Sequence, residues 1–260
     1  MKVNWSGTDI HLGSMTSFVM DRARWIGADQ FPSSQLGADE IERILSFAEA
    51  QGVFDKYLGA LTASSSQRDS ALAELRVAFY FRRNSFRIAQ WRPVGLPPKE
   101  GEFMVQGPSG LQTFVEVKSP GWEGELSDTE RKTGRTQQPK YINAEARIIA
   151  PWERIQFAVD KAYEKLLPTQ PNLLVIADDL FVSLQHRIDF NANLALYALH
   201  NHGRFTTQSF EKLGGVGIFW VETAREVSYD MKLYLNPHLL NATALPEDLQ
   251  LAFHGVVQVR

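Results

Sequence analysis

Glu116, Val117 and Lys118 are where this 260-residue chain most clearly carries chemistry. Side chains on a strand alternate faces, so an acid and a lysine two residues apart point the same way. Joined by a second acid, such a pair can hold a divalent metal beside a phosphodiester. Glu102 is the candidate for that second acid, with Glu100 as its substitute. Leu111 to Lys118 reads as a strand after a Gly107-Pro108-Ser109-Gly110 turn, and a preceding strand starts at Glu102. A hairpin that pairs Gln106 with Leu111 sets Glu102 opposite Val115, on the wrong face. One extra residue near the turn, a bulge, would set it opposite Glu116 instead. Only that second register brings the two carboxylates together, and their meeting is costly unless a cation neutralises them.

Glu74 is the third acid of interest. It falls on the same helical face as Ala71, Leu75, Ala78 and Phe79. The positions three and four away hold Ser70, Ala71, Val77 and Ala78, so no base on the same helix can pair with it. An acid on an apolar face needs a partner from elsewhere. A metal, a water held by one, or a distant arginine would serve.

Charge is uninformative as a total, at −3, but its distribution is not. Arg76, Arg82, Arg83, Arg87 and Arg92 lie in a stretch with no acid, interleaved with Phe79, Tyr80, Phe81, Phe86 and Trp91. Such a segment can track phosphates; the bland reading is a solvated helix face with core aromatics between.

The elements that must position these residues follow from periodicity. Asp39 to Gln51 reads as a helix capped by Asp39 and ended by Gly52, and Val53 to Leu61 as a short second one. Ser66-Gln67-Arg68-Asp69 resembles a capping box opening a strong helix to about Arg83. Phe86 to Trp91 is a strand and is followed by the hairpin. Ser119 to Ile148 is a long polar stretch. Pro151 to Leu166 is an amphipathic helix, Asn172 to Ala177 a buried strand and Phe190 to Leu199 a helix. Val216 to Glu222 and Tyr229 to Tyr234 are strands, and Pro246 to Phe253 is a short helix. Met1 to Leu36 shows little periodicity and reads as an irregular lead-in. The result is one mixed sheet with helices on its faces, an α/β fold.

Composition closes off several classes. With no cysteine there is no disulfide, thiolate catalysis or Cys-ligated zinc. No apolar run approaches a bilayer span, and the start of the chain lacks a signal core, so a cytoplasmic protein is expected. Leu173 to Asp179 looks like the metal-binding strand of an ATPase, yet no phosphate-cradling glycine loop accompanies it. His200-Asn201-His202-Gly203 reads as a helix terminus with a histidine near its carbonyl end.

The order from Ser66, with Glu74 in Ala-Glu-Leu-Arg-Val-Ala and Glu116 and Lys118 in Phe-Val-Glu-Val-Lys-Ser-Pro, resembles the PD-(D/E)XK nuclease superfamily. The resemblance covers roughly residues 66 to 183. It implies a restriction-endonuclease-like core: helix, three-stranded antiparallel meander, helix and a further strand. On this reading residues 1–65 are a helical N-terminal extension, 66–185 the core, and 186–260 a mixed C-terminal extension. Glu102, in Gly-Glu-Phe-Met-Val, sits where the family usually has Asp after Pro. Gln156 and Lys161 lie where some members place an extra polar residue.

The resemblance implies a metal-dependent nuclease. Glu102, Glu116 and Glu74 would be ligands of Mg²⁺ or Mn²⁺. Lys118 would orient the attacking water or stabilise charge on the phosphate. Arg76, Arg82, Arg83, Arg87 and Arg92 would grip the backbone of DNA, with RNA as the alternative nucleic acid and a homodimer or larger complex as the candidate assembly. The alternative is a catalytically inactive nuclease-fold protein that binds nucleic acid or serves an assembly.

Overall fold

Apolar residues on both faces of one strand dictate the layering. In β6 (Asn172–Asp178), Leu173, Val175 and Ala177 enter one buried cluster, while Leu174 and Ile176 enter another on the opposite face. A strand covered on both sides needs helices on both sides. The computed structural model describes residues 2–5, 8–11, 35–62, 65–93, 95, 100–119, 150–178, 185–222, 227–253 and 256–257.

The first cluster is built by α1 (Gln35–Ala50), α2 (Phe54–Leu61) and α3 (Ser65–Arg83). Gly52, at φ 66°, lets the chain reverse between α1 and α2. Ala71, Leu72, Leu75, Ala78 and Phe79 bury α3 against the sheet. The second cluster is built by α4 (Pro151–Tyr163) and α5 (Gln185–Tyr197), through Ile155, Val159, Ala192 and Leu196. Pro151 opens α4, where its missing N–H costs nothing, and Glu153 reaches back to accept from the Ala150 N–H at 2.9 Å.

Between these layers lies one sheet of β3 (Arg87–Trp91), β4 (Phe103–Gln106), β5 (Gln112–Lys118), β6, β7 (Gly215–Glu222), β8 (Ser228–Leu235) and the two-residue β9 (Val256–Val257), in that spatial order. β3, β4 and β5 form an antiparallel meander. β5, β6 and β7 run parallel, with α4 and α5 as the crossovers, and β8 returns antiparallel to β7. The expected order of helix, three-stranded meander, helix and strand is therefore present. α5 and the strands β7 and β8 continue the same sheet system past residue 185. Among the described residues no helix is long and apolar enough to cross a membrane.

Several local expectations are corrected. Lys2–Trp5 (β1) and Thr8–His11 (β2) pair as a hairpin within the segment read as irregular, its alternation too short to register. α1 begins at Gln35, so Asp39 lies inside the helix rather than capping it. α5 begins five residues before Phe190 and ends at Tyr197; a short 3₁₀ turn, Leu199–Asn201, follows, and His202 closes it at φ 50°. The polar stretch from Ser119 to Ile148 lies, beyond Ser119 itself, outside the described residues.

Candidate active site

The turn between β4 and β5 decides whether two acids can meet. It contains five residues, Gly107 to Leu111, because Gln106 pairs with Gln112 and Phe103 with Val115. Glu102, one residue before that ladder, donates its N–H to the Val115 carbonyl at 3.2 Å, and its carboxylate shares Lys165 with Glu116. The additional residue is Gly110, which forms the expected bulge beside the turn: the Gly107 N–H donates to the Leu111 carbonyl at 3.3 Å, leaving Gly110 as the extra residue. Gly110 makes the turn possible at φ 80°, and its N–H donates to the Gly107 carbonyl at 3.0 Å. The turn is pinned from the C-terminal side. Asp248, in α6 (Glu247–Leu251), accepts from the Ser109 N–H at 2.8 Å.

Gly101 explains why no proline precedes Glu102. A Cβ at that position would overlap the ring of Phe114 on β5. Glu102 itself stands just outside β4, at 4% exposure, whereas Glu100 is exposed. Of the two candidates for the second acid, Glu102 is the one brought to Glu116.

Glu116 is fully buried. It shares its strand face with Phe114 and so points toward the α4 side. Lys118 donates to its Oε1, as the two-residue spacing anticipates. Lys165, just past the end of α4, donates to the same oxygen at 2.6 Å and stands 3.8 Å from Glu102 Oε1. Glu116 Oε2 is buried without a hydrogen-bond partner.

Glu74 reaches the cluster from α3. Its distant partner is Arg92, whose Nη2 lies 3.2 Å from Glu74 Oε2 while Nη1 lies 2.6 Å from Glu102 Oε2. Arg92 adopts φ 51°, a conformation that a non-glycine residue rarely holds. An irregularity in the β3–β4 register between Ile88 and Gln90 precedes it and re-aims the end of the strand. The guanidinium lies over the ring of Tyr57, 5.1 Å from its centroid. The Tyr57 hydroxyl is buried against the Glu74 carboxyl.

This crowding of acids moves their protonation. Burial, reinforced by the charge of Glu102 and opposed by Arg92, pushes the Glu74 carboxyl up to about 8. Burial and the charge of Glu116 raise Glu102 above the usual carboxylate range. For Lys165 burial works against the ammonium, but Glu116 and Glu102 outweigh it and raise its pKa. The Tyr57 hydroxyl is raised too, by burial and then by Glu74.

A divalent metal can be tested against this donor set. Two buried carboxylates that share Lys165, one with an unpartnered oxygen, suit Mg²⁺, which takes oxygen ligands and often only one or two carboxylates. Among the described residues no three acidic or histidine side chains converge closely enough to hold an ion by themselves. Glu74 and Glu102 share Arg92, which already places a positive charge on that side of the cluster. The set that fits a metal is Glu102 with Glu116.

The basic stretch separates into different environments. Arg76 is committed to Glu40, Nε to Oε1 and Nη2 to Oε2, each at 2.9 Å. Arg82 is half-buried, Arg83 and Arg87 are exposed, and Arg87 donates to the Gln106 side chain. Arg92 belongs to the acid cluster. Gln156 is buried and donates to the carbonyls of Ala195 and Asn201, so it secures the end of α5, and Lys161 lies over the exposed ring of Phe157. The lysine of this region that reaches the cluster is Lys165. Neither Lys165 nor Tyr57 stands out in the sequence: each is placed by tertiary packing, with no motif to mark it. Comparison with family models, with curated proteins and with solved structures finds no match, so function has to be argued from this geometry.

Proposed function

We propose that the protein is a metal-dependent nuclease with a PD-(D/E)XK core, hydrolysing phosphodiester bonds in DNA. The observation that carries this reading is the meeting of Glu102 and Glu116, with an unpartnered buried oxygen on Glu116 and the ammonium groups of Lys118 and Lys165 alongside. The order of helix, antiparallel meander, helix and parallel strand supports it.

Glu102 and Glu116 would hold Mg²⁺ or Mn²⁺. A bound ion there would polarise the phosphate and lower the pKa of a water. The chain's own groups have separate tasks. Lys118 and Lys165 keep positive charge beside the carboxylates, where negative charge develops on a phosphate in the transition state. Arg92 fixes Glu74 and Glu102 relative to one another. Glu74, its carboxyl raised by burial and by Glu102, would hold a metal-bound water at the edge of the site. Arg83 and Arg87 offer exposed charge to the phosphate backbone.

A second reading has an observation of its own. Each of the three carboxylates already pairs with an internal base: Glu74 and Glu102 with Arg92, and Glu116 with Lys118 and Lys165. A site neutralised from within suits a nuclease-fold protein that binds nucleic acid without cutting it. Cleavage separates the two. Wild type should nick plasmid DNA with Mg²⁺ or Mn²⁺, and Lys118→Ala should lose about a hundredfold or more of that rate, the scale of one transition-state stabiliser, while keeping its fold. Full activity in Lys118→Ala would overturn the assignment of Lys118. A wild type that binds DNA without cutting it would favour the second reading.

A further inference from the structure

Beside the acid cluster, between α2 and α3, lies a cavity of about 390 Å³ bordered by Tyr57, Gly59, Gln67, Ser70, Glu74 and Arg92. It falls within the size range of small-molecule sites. Two of its residues, Glu74 and Arg92, also belong to the cluster, and Arg92 bonds directly to Glu102. A group seated in the cavity would be one side chain away from the carboxylates.

The walls have a particular chemistry. Arg92 holds its guanidinium over the ring of Tyr57, 5.1 Å from the centroid, with the side chain 37% exposed. An accessible guanidinium plane is a surface on which nucleobases stack. Gln67 adds an amide and Ser70 a hydroxyl, groups that both donate and accept hydrogen bonds. The Tyr57 hydroxyl is buried against the Glu74 carboxyl, so Tyr57 fixes this wall from behind.

We propose that this cavity receives one unpaired nucleotide of the substrate strand, next to the phosphate held at Glu102 and Glu116. The inference rests on the nuclease reading and adds a structural preference to it. A base inside a duplex is stacked and paired and cannot enter; a single strand, a frayed end or an extruded nucleotide can. The protein therefore selects substrates that are unpaired at the cut.

Gly59 offers a clean test. A Cβ added there meets no atom within 4 Å, and its backbone needs no left-handed conformation. Replacing a glycine inside a helix also favours the helix. Gly59→Leu should fill the cavity without lowering the melting temperature. The probe is an uncleavable single-stranded oligonucleotide carrying the fluorescent base 2-aminopurine at successive positions. Wild type should bind it more tightly than a fully paired duplex of the same sequence and change the fluorescence at one position. Gly59→Leu should abolish that local change and weaken binding by about tenfold or more, the scale of one stacked base. Gln67→Ala, at an exposed position, should weaken it less. The proposal is overturned by a wild type that does not bind the oligonucleotide, by one that binds the duplex equally well, or by a correctly folded Gly59→Leu that binds as wild type does. The underlying reading fails separately. If wild type never cleaves, catalysis is lost while the nucleotide pocket can stand; if Lys118→Ala abolishes cleavage and Gly59→Leu changes nothing, only the pocket falls.

Discussion

Helix α3 contributes to two buried clusters of opposite character. Arg76 points to one and Glu74, two residues earlier, to the other. In the first, both oxygens of Glu40 are taken up by the Arg76 fork, and the Tyr229 hydroxyl donates to Oε1 at 2.8 Å. Burial alone would raise the Glu40 carboxyl, but Arg76 and Tyr229 outweigh it and hold it below the usual range. In the second, three acids share Arg92, Lys118 and Lys165, and the balance tips the other way. Glu74 and Glu102 are raised, and Glu116 Oε2 has no partner. Both sets bury glutamates beside an arginine and a tyrosine; the second adds two lysines, and its bases are more exposed than Arg76. What separates them is completeness: a closed pair fastens α1, α3 and β8 together, while a cluster with acids facing acids leaves room for a cation.

If that contrast is right, mutation should affect the two sets in opposite ways. Glu40→Ala removes both bonds of the Arg76 fork inside the protein and should cost about 3–5 kcal/mol, the usual loss when one member of a buried pair is removed. Glu74→Gln, without metal, relieves a crowded acid and should cost little or stabilise. Urea denaturation of both variants checks this. Equal losses would mean that the second cluster is as structural as the first.

The pH dependence should divide them too, with a smaller effect. Glu74 has a folded pKa raised from 4.5 to about 8, so the folded protein keeps a proton that the unfolded chain releases. Its contribution to stability is full below about 4.5 and is lost as pH rises through about 8. Glu40, with a lowered pKa, contributes above about 4.5 and loses that contribution as pH falls through its folded value. Metal-free melting temperatures should therefore decline from about pH 5 to about pH 8, and Glu74→Gln should flatten the decline. An unchanged slope in the variant would place the effect elsewhere.

Much of the frame was legible from local pattern. The face shared by Glu116 and Lys118 follows from strand alternation, and the need of Glu74 for a remote partner follows from the residues three and four positions away. The register of Glu102 stood between two options, because a turn's length is set by where the chain first pairs. Here Gly110 in its left-handed conformation is the extra residue, a bulge beside the turn that Asp248 anchors. Lys165 and Tyr57 could not be read, since only the packing of α4 and α2 around the sheet brings them to the acids. The five arginines looked like one basic stretch, yet the helix turned Arg76 inward to Glu40, and the irregular end of β3 sent Arg92 into the cluster.

The central claim is that Glu102 and Glu116 form a cation site that is incomplete without an added ion. A ligand that binds the folded protein and not the unfolded chain raises the melting temperature by mass action. Thermal unfolding with and without millimolar Mg²⁺ or Mn²⁺, in wild type and Glu116→Gln, measures this directly, repeated with an uncleavable oligonucleotide so that a site completed by substrate is also detected. The account predicts a metal-dependent rise in wild type that Glu116→Gln abolishes. A wild type whose melting temperature ignores both metals, with and without the oligonucleotide, would contradict it.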